Sequence, residues 1–219
     1  MKMRFGILIA VLTCFLNVLM TEVCAAGSDG SGVYFGIGGG ATRTTIDNLE
    51  SGINSNLLQA GFTSANTETN NKGGMYKAFI GYSFNPYFGI EGTYFNLGKF
   101  TFDTSVTPTG TLHGETRTQG GNLDFILSYP IDGVILFGRI GADYAQSKTD
   151  LSGTGSIGVL TSRTSENAWG RHYGIGLGYE FSGHTGVRGE WEYYQIPDGT
   201  NTHTQARVDA LEVSLYYKF

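Results

Sequence analysis

Arg188, Glu190 and Glu192 stand two residues apart, and in an extended strand every second side chain projects to the same side. The same parity unites Arg139 with Asp143 in a second stretch, and sets Glu91 and Glu180 against the apolar side of two others. Three chemistries suit such a set. Glu190 and Glu192 could divide the work of a general acid and a general base. Fixed charges around a narrow opening could conduct ions. Opposite charges could also neutralise one another in a confined interior, where charges removed from water need partners. Arg139 and Arg188 among the carboxylates make the third role the expected one. The network would comprise Glu91, Arg139, Asp143, Arg188, Glu190 and Glu192.

Other reactive residue types point to less. His113, His172, His184 and His203 are scattered, and none sits at metal-ligand spacing with another. His172 with Glu166, or His203 with Asp209, could serve an enzyme that modifies lipid, but a catalytic base needs a placed partner. Histidines of loops and interior are the plainer expectation. Gly36-Ile37-Gly38-Gly39-Gly40-Ala41 mimics a dinucleotide-binding loop. Such a loop must open a helix, and the Thr- and Asn-rich stretch after it has no helical apolar period. No catalytic residue, cofactor or metal ligand is assigned.

The elements that would carry these charges repeat one pattern. In the last nine residues Leu211, Val213, Leu215, Tyr217 and Phe219 alternate with mostly polar neighbours, which is the period of a strand with one greasy face. Seven earlier stretches share it, beginning near Val33, Met75, Tyr87, Thr116, Val134, Trp169 and Gly186. Each approaches the roughly 9–11 residues that a tilted membrane strand needs. Gly36, Gly38 and Gly40, and again Gly174, Gly176 and Gly178, put stripes of glycine on the polar face, where they leave room for larger side chains across a narrow interior. The connections alternate. Those after the second, fourth and sixth stretches are tight turns. Those at 43–74, 98–115 and 146–167 are long, rich in Thr, Ser, Asn and Gly, and expected to be solvated loops; 197–206 is intermediate. The expected fold is all-β, an eight-stranded antiparallel transmembrane up-and-down β-barrel with its long loops on one rim. A soluble eight-stranded cup would turn the greasy face inward and leave Glu91 and Arg139 in water.

Composition and targeting agree. Charged residues are 15% of the 219, against about 25% in a usual soluble domain, and there are 34 glycines but only 4 prolines. Lys2 and Arg4, an apolar run from Phe5 to Met20 and the small residues Ala25 and Ala26 read as a secretory signal peptide, cleaved after Ala25 or Ala26. The domains are then 1–26, signal peptide, and 27–219, barrel. Both cysteines, Cys14 and Cys24, would leave with the leader. Of 14 basic and 19 acidic residues, removal of Lys2, Arg4 and Glu22 leaves 12 and 18, a balance unsuited to nucleic acid. No later apolar run is long enough for a spanning helix, so strands are the remaining way into a membrane.

Laid out so, the chain resembles the OmpA-type outer-membrane β-barrel family. The resemblance rests on Gly81-Tyr82-Ser83-Phe84-Asn85-Pro86-Tyr87-Phe88-Gly89-Ile90-Glu91 with Leu97-Gly98, Leu127-Ser128-Tyr129-Pro130-Ile131, Arg139-Ile140-Gly141, Arg188-Gly189-Glu190-Trp191 and Ser214-Leu215-Tyr216-Tyr217-Lys218-Phe219. It covers the mature chain apart from the long loops. It implies residence in the outer membrane of a Gram-negative-type bacterium, and a lumen plugged by opposed charges at Glu91, Arg139 and Glu190. The family's basic residue on the fourth strand matches Ile126, and Arg188 is expected to stand in for it. The family's peptidoglycan-binding domain is not expected in a chain that stops at the barrel. The function expected is a non-enzymatic, monomeric surface anchor or adhesin-like antigen of the porin-related class. Its partners would be outer-membrane lipids and an external ligand or host surface. A narrow ion channel and a lipid-modifying enzyme are the alternatives.

Overall fold

The computed structural model describes residues 30–182, 184–197 and 205–219. The expected signal peptide, and 198–204 with His203, lie outside the described residues. Nine strands pair antiparallel: β1 (Gly32–Ile46), β2 (Ser64–Asn70), β3 (Lys72–Asn85), β4 (Phe88–Thr107), β5 (Gly110–Ile131), β6 (Val134–Gly155), β7 (Leu160–Ser182), β8 (Thr185–Pro197) and β9 (Gln205–Lys218), with one helix, α1 (Leu49–Gln59), between β1 and β2. Eight of the strands, all but β2, close a ring in chain order. First and last strands form the seam, from Tyr34 opposite Lys218 to Ile46 opposite Ala206. Closure leaves no strand edge bare within the ring, the condition for a sheet to cross hydrocarbon.

The greasy faces point outward. Ile37 is 66% exposed and Leu211 68%, while Glu91 and Arg139 are buried within the ring. This reverses the arrangement of a soluble cup and suits lipid outside. Aromatic rings gather at both ends of the apolar band. Phe84, Phe88 and Phe125 stack in sequence at one end. Tyr94, Tyr144 and Trp169 share one row across the sheet at the other, with the Tyr144 and Trp169 centroids 5.0 Å apart. The strand from Trp169 to Tyr179 runs roughly 33 Å, which a tilt of about 40° projects to about 25 Å, the height of an outer-membrane apolar band.

The two rims differ. At one, the turns are tight: Asp132 and Gly133 both take positive φ, as a two-residue hairpin turn of the primed type requires. Both described ends of the chain meet at this rim, where Lys218 Nζ donates to the Gly30 carbonyl at 2.6 Å. At the other rim the expected solvated loops are corrected. β4, β5, β6 and β7 are 20, 22, 22 and 23 residues long, about twice what a membrane needs, and their pairing continues to within a few residues of each tip. The first connection folds as α1 and β2, and β2 pairs with the far half of β4 from Ser64 opposite Thr107 to Asn70 opposite Thr101. Thr- and Ser-rich sequence reads as loop, yet β-branched Thr suits a pleated sheet wet on one face. The inner face of this extension buries Phe100, Phe102 and Val106.

Candidate functional site

Two glycine stripes decide which charges can meet inside the ring. On β1, a Cβ at Gly36 would lie 2.3 Å from Phe79, and one at Gly38 would lie 2.8 Å from Ser214. With only hydrogen on that face, β3 side chains reach past β1 to β9 and β8. Lys77 of β3 does so, placing Nζ 2.7 Å from Glu190, 2.8 Å from Glu192 and 2.5 Å from Glu212. On β7 a Cβ at Gly174 would lie 3.2 Å from both Arg139 and Glu192, and one at Gly176 would lie 2.7 Å from Glu190. Arg139 of β6 accordingly crosses β7, with Nη2 2.9 Å from Glu190 and Nη1 3.2 Å from Glu192. Nη1 also donates to Glu91 at 2.9 Å and to Asp124 at 3.4 Å.

The register explains why a cation must come between these acids. Glu190 and Glu212 stand directly opposite one another on β8 and β9, a like-charge pair that is unfavourable alone. Lys77 sits against both. The three carboxylates Glu190, Glu192 and Glu212 lie close enough together to hold a metal ion, but the Lys77 ammonium already occupies that position.

The interior is layered. Nearest the short-turn rim is a pocket of about 430 Å³, lined by Ile126, Ile135, Phe137, Glu180 and Lys218 among others. Its floor is Arg188, whose guanidinium carbon lies 4.5 Å from the ring centre of Tyr216, 4.8 Å from Tyr34, 5.3 Å from Phe79 and 5.4 Å from Phe137. Arg188 also donates to Glu91 at 2.8 Å, and the Tyr34 hydroxyl donates to the same carboxylate at 3.0 Å. The Lys77 and Arg139 clusters come next. Beyond them the His172 ring stacks on Tyr194 at 4.3 Å, with Nδ1 2.8 Å from Asn122 and 3.0 Å from Asp124. The Tyr194 hydroxyl donates to Glu192 at 2.7 Å. Above these comes an apolar layer, Met75, Phe95, Leu97, Ala145, Tyr194, Ile196, Val208 and Ala210.

The expected site residues fare unevenly in this geometry. Glu91, Arg139, Arg188, Glu190 and Glu192 form one connected set: Arg188 pairs with Glu91, Glu91 with Arg139, Arg139 with Glu190 and Glu192, and Lys77 with the last two. Asp143 is equally buried, but neither of its oxygens has a hydrogen-bond partner among the described residues. Glu180 stands apart at the pocket and accepts from the Tyr216 hydroxyl at 3.1 Å. Ile126 points inward and is buried; Arg188, expected in place of a basic residue there, lies 2.8 Å from Glu91, and Lys77 of β3 brings a further cation. His172 belongs to the interior with Asp124, not to a rim site with Glu166. Lys77, Asp124 and Glu212 were missed, although parity marks them: each lies between two outward residues, Tyr76 and Ala78, Leu123 and Phe125, Leu211 and Val213. The apolar layer was missed too, since an inner wall of polar residues throughout was expected.

The extension carries its own charges. His113 Nδ1 lies 2.7 Å from Asp103, Arg117 Nε 2.5 Å from Glu115, and Arg163 bonds Asp150. The hydrogen bond from Arg117 holds the Glu115 carboxyl below its ordinary range, and that from Arg163 does the same for Asp150.

The fold recurs among solved structures of low sequence identity. Ail, the attachment invasion locus protein of Yersinia pestis, solved in complex with the heparin analogue sucrose octasulfate, is 15% identical, with a TM-score of 0.50 over 87% of this chain and 99% of its own. OprG from Pseudomonas aeruginosa is 15% identical, with a TM-score of 0.50 over 88% and 98%. The outer membrane protease OmpT from Escherichia coli is 12% identical, with a TM-score of 0.52 over 91% and 100%. Both barrels without a named enzymatic activity and a protease thus share the architecture. No curated protein matches the chain. The model of the outer membrane protein beta-barrel domain matches residues 12–219, so the chain belongs to that family and resides, among lipid, in the outer membrane of a Gram-negative bacterium.

Proposed function

We propose that the chain is a monomeric, non-enzymatic surface anchor whose interior is plugged and whose tall β-sheet meets a ligand outside the cell. The observation that carries this reading is the succession of aromatic, ionic and apolar layers across the interior. An eight-stranded ring has room only for side chains, and each layer here uses that room. A water-filled path would have to pass both the Arg139 cluster and the packed rings of Phe95 and Tyr194, which lie 5.0 Å apart. The outer sheet supports the second half of the reading. Among the described residues, β7 beyond Arg171, the last β7 residue opposite β8, pairs with β6 alone, so the hairpin of β6 and β7 stands above the ring. Val159, 98% exposed, and Leu160 form an apolar tip at the β6–β7 hairpin. Ail, with a similar fold, was solved with a heparin analogue, which supports an external ligand for such a barrel.

Planar-bilayer recording of the refolded protein tests the plug. No steady conductance is expected at neutral pH. Stable steps that change when Arg139 or Glu91 is reversed in charge would replace the anchor with a channel.

A further inference from the structure

The exposed cations are not spread evenly. Lys99, Arg117 and Lys148 occupy one row of directly opposed positions on β4, β5 and β6. All three are exposed on the outward face. Like charges directly opposite are unfavourable on a sheet unless something neutralises them. Among the described residues Glu115 pairs with the row, at 2.5 Å from Arg117 and 3.4 Å from Lys99, while Asp150, bonded to Arg163, feels Arg117 from farther off. Lys148 has no ion pair among the described residues, and the row keeps a surplus of positive charge.

Its height supplies the missing counter-charge. The row lies four residues beyond the girdle, counted from Tyr144 to Lys148, or roughly 13 Å along a tilted strand. That is about 10 Å above the hydrocarbon, just outside a headgroup layer about 5–8 Å thick. Long basic side chains lean back toward such a layer. Between girdle and cations runs a row of amides, Gln119 opposite Gln146 opposite Asn167, and the Tyr94 hydroxyl lies 3.5 Å from the Gln119 carbonyl. Stacked in order are aromatic rings for the acyl boundary, amides for sugar or glycerol hydroxyls, and cations for phosphate.

We propose that Lys99, Arg117 and Lys148 form a docking site for the phosphate-bearing headgroup of an outer-leaflet lipid. The phosphate oxygens bridge neighbouring cations across the strands, as charge-assisted hydrogen bonds to Lys and Arg do elsewhere. The site depends on the membrane placement of the barrel and not on what the outer sheet binds. A soluble sulfated polysaccharide would find the same charges but has no acyl chains to place beside Tyr94, Tyr144 and Trp169.

Lipid A with both phosphates, lipid A with its phosphates removed, inorganic phosphate and heparin would each be titrated into the full mature protein in zwitterionic detergent. Binding would be followed by tryptophan fluorescence. Phosphorylated lipid A is expected to bind about tenfold or more tightly than the dephosphorylated form, and to weaken with salt. The K99Q/R117Q/K148Q variant should lose that preference. K99R/R117K/K148R should restore it, and R163Q, higher on the same face, should leave it unchanged. Retention of the folded, heat-modifiable gel band shows that each variant has folded. Equal affinity for dephosphorylated lipid A would overturn the proposal, as would full preference in the triple Gln variant, displacement by equimolar inorganic phosphate, or heparin binding more tightly than the lipid.

Discussion

The ammonium of Lys77 sits against three carboxylates that reach it from β8 and β9 across the bare face of β1. Removing it leaves Glu190, Glu192 and Glu212 buried together with less compensation. K77M should therefore cost about 3–5 kcal/mol, measured by urea unfolding of the barrel in lipid vesicles. K77M combined with E212Q should recover part of that loss, because one of the stranded charges is gone. Independent, additive penalties would mean that the two groups do not interact. Which individual charges meet was only partly legible beforehand. Parity alone assigns Glu91, Arg139, Glu190 and Glu192 to one side of the wall. It also marks Lys77 as inward, between the outward Tyr76 and Ala78, although Lys77 is not counted among the expected charges. That Lys77 contacts Glu190 is a fact of the spatial order β3, β1, β9, β8, which places only Gly38 and the small Ser214 in the row that Lys77 must cross. No local pattern encodes it.

At the scale of the strand, legibility depended on where the strand runs. Inside the membrane the alternation is enforced by two unlike solvents, lipid and the packed interior, and each of the eight ring strands announces itself. Outside, water lies on one face and a sparse apolar layer on the other, so stretches such as Thr101 to Thr107 lose contrast and were taken for loops. Two predictions follow from this division. I175R or L215R, which place a cation against lipid, should each cost about 2–4 kcal/mol, whereas Arg at Ser83, on the inner face near the pocket, should cost less. Equal penalties at both kinds of site would contradict the assignment of faces. Replacing residues 150–163 by Asn-Gly, to join the paired Thr149 and Thr164, should leave the ring intact, because closure depends on pairing below that point. A heat-modifiable band on a cold detergent gel checks this, and its loss would show that the extension is needed to close the barrel.

For the whole molecule, orientation follows from the even number of ring strands and the unequal rims. An epitope inserted at Gly158, where a Cβ would meet nothing within 4 Å, should bind antibody on intact cells. The same epitope at the Asp132-Gly133 turn should be reached only after the outer membrane is permeabilised. Staining of intact cells at Gly133 would invert the protein in the membrane. The wall is also uneven in height around its circumference. β4 to β7 stand well clear of the bilayer, whereas the described parts of β8, β9, β1 and β3 stop much nearer to it. Seen from outside, the protein is a screen and not a tower, with a front and a back. Whatever approaches it from the medium meets a surface with a compass direction, so rotation of the barrel about its own axis, or a neighbour crowding one flank, would govern access as surely as any change of sequence.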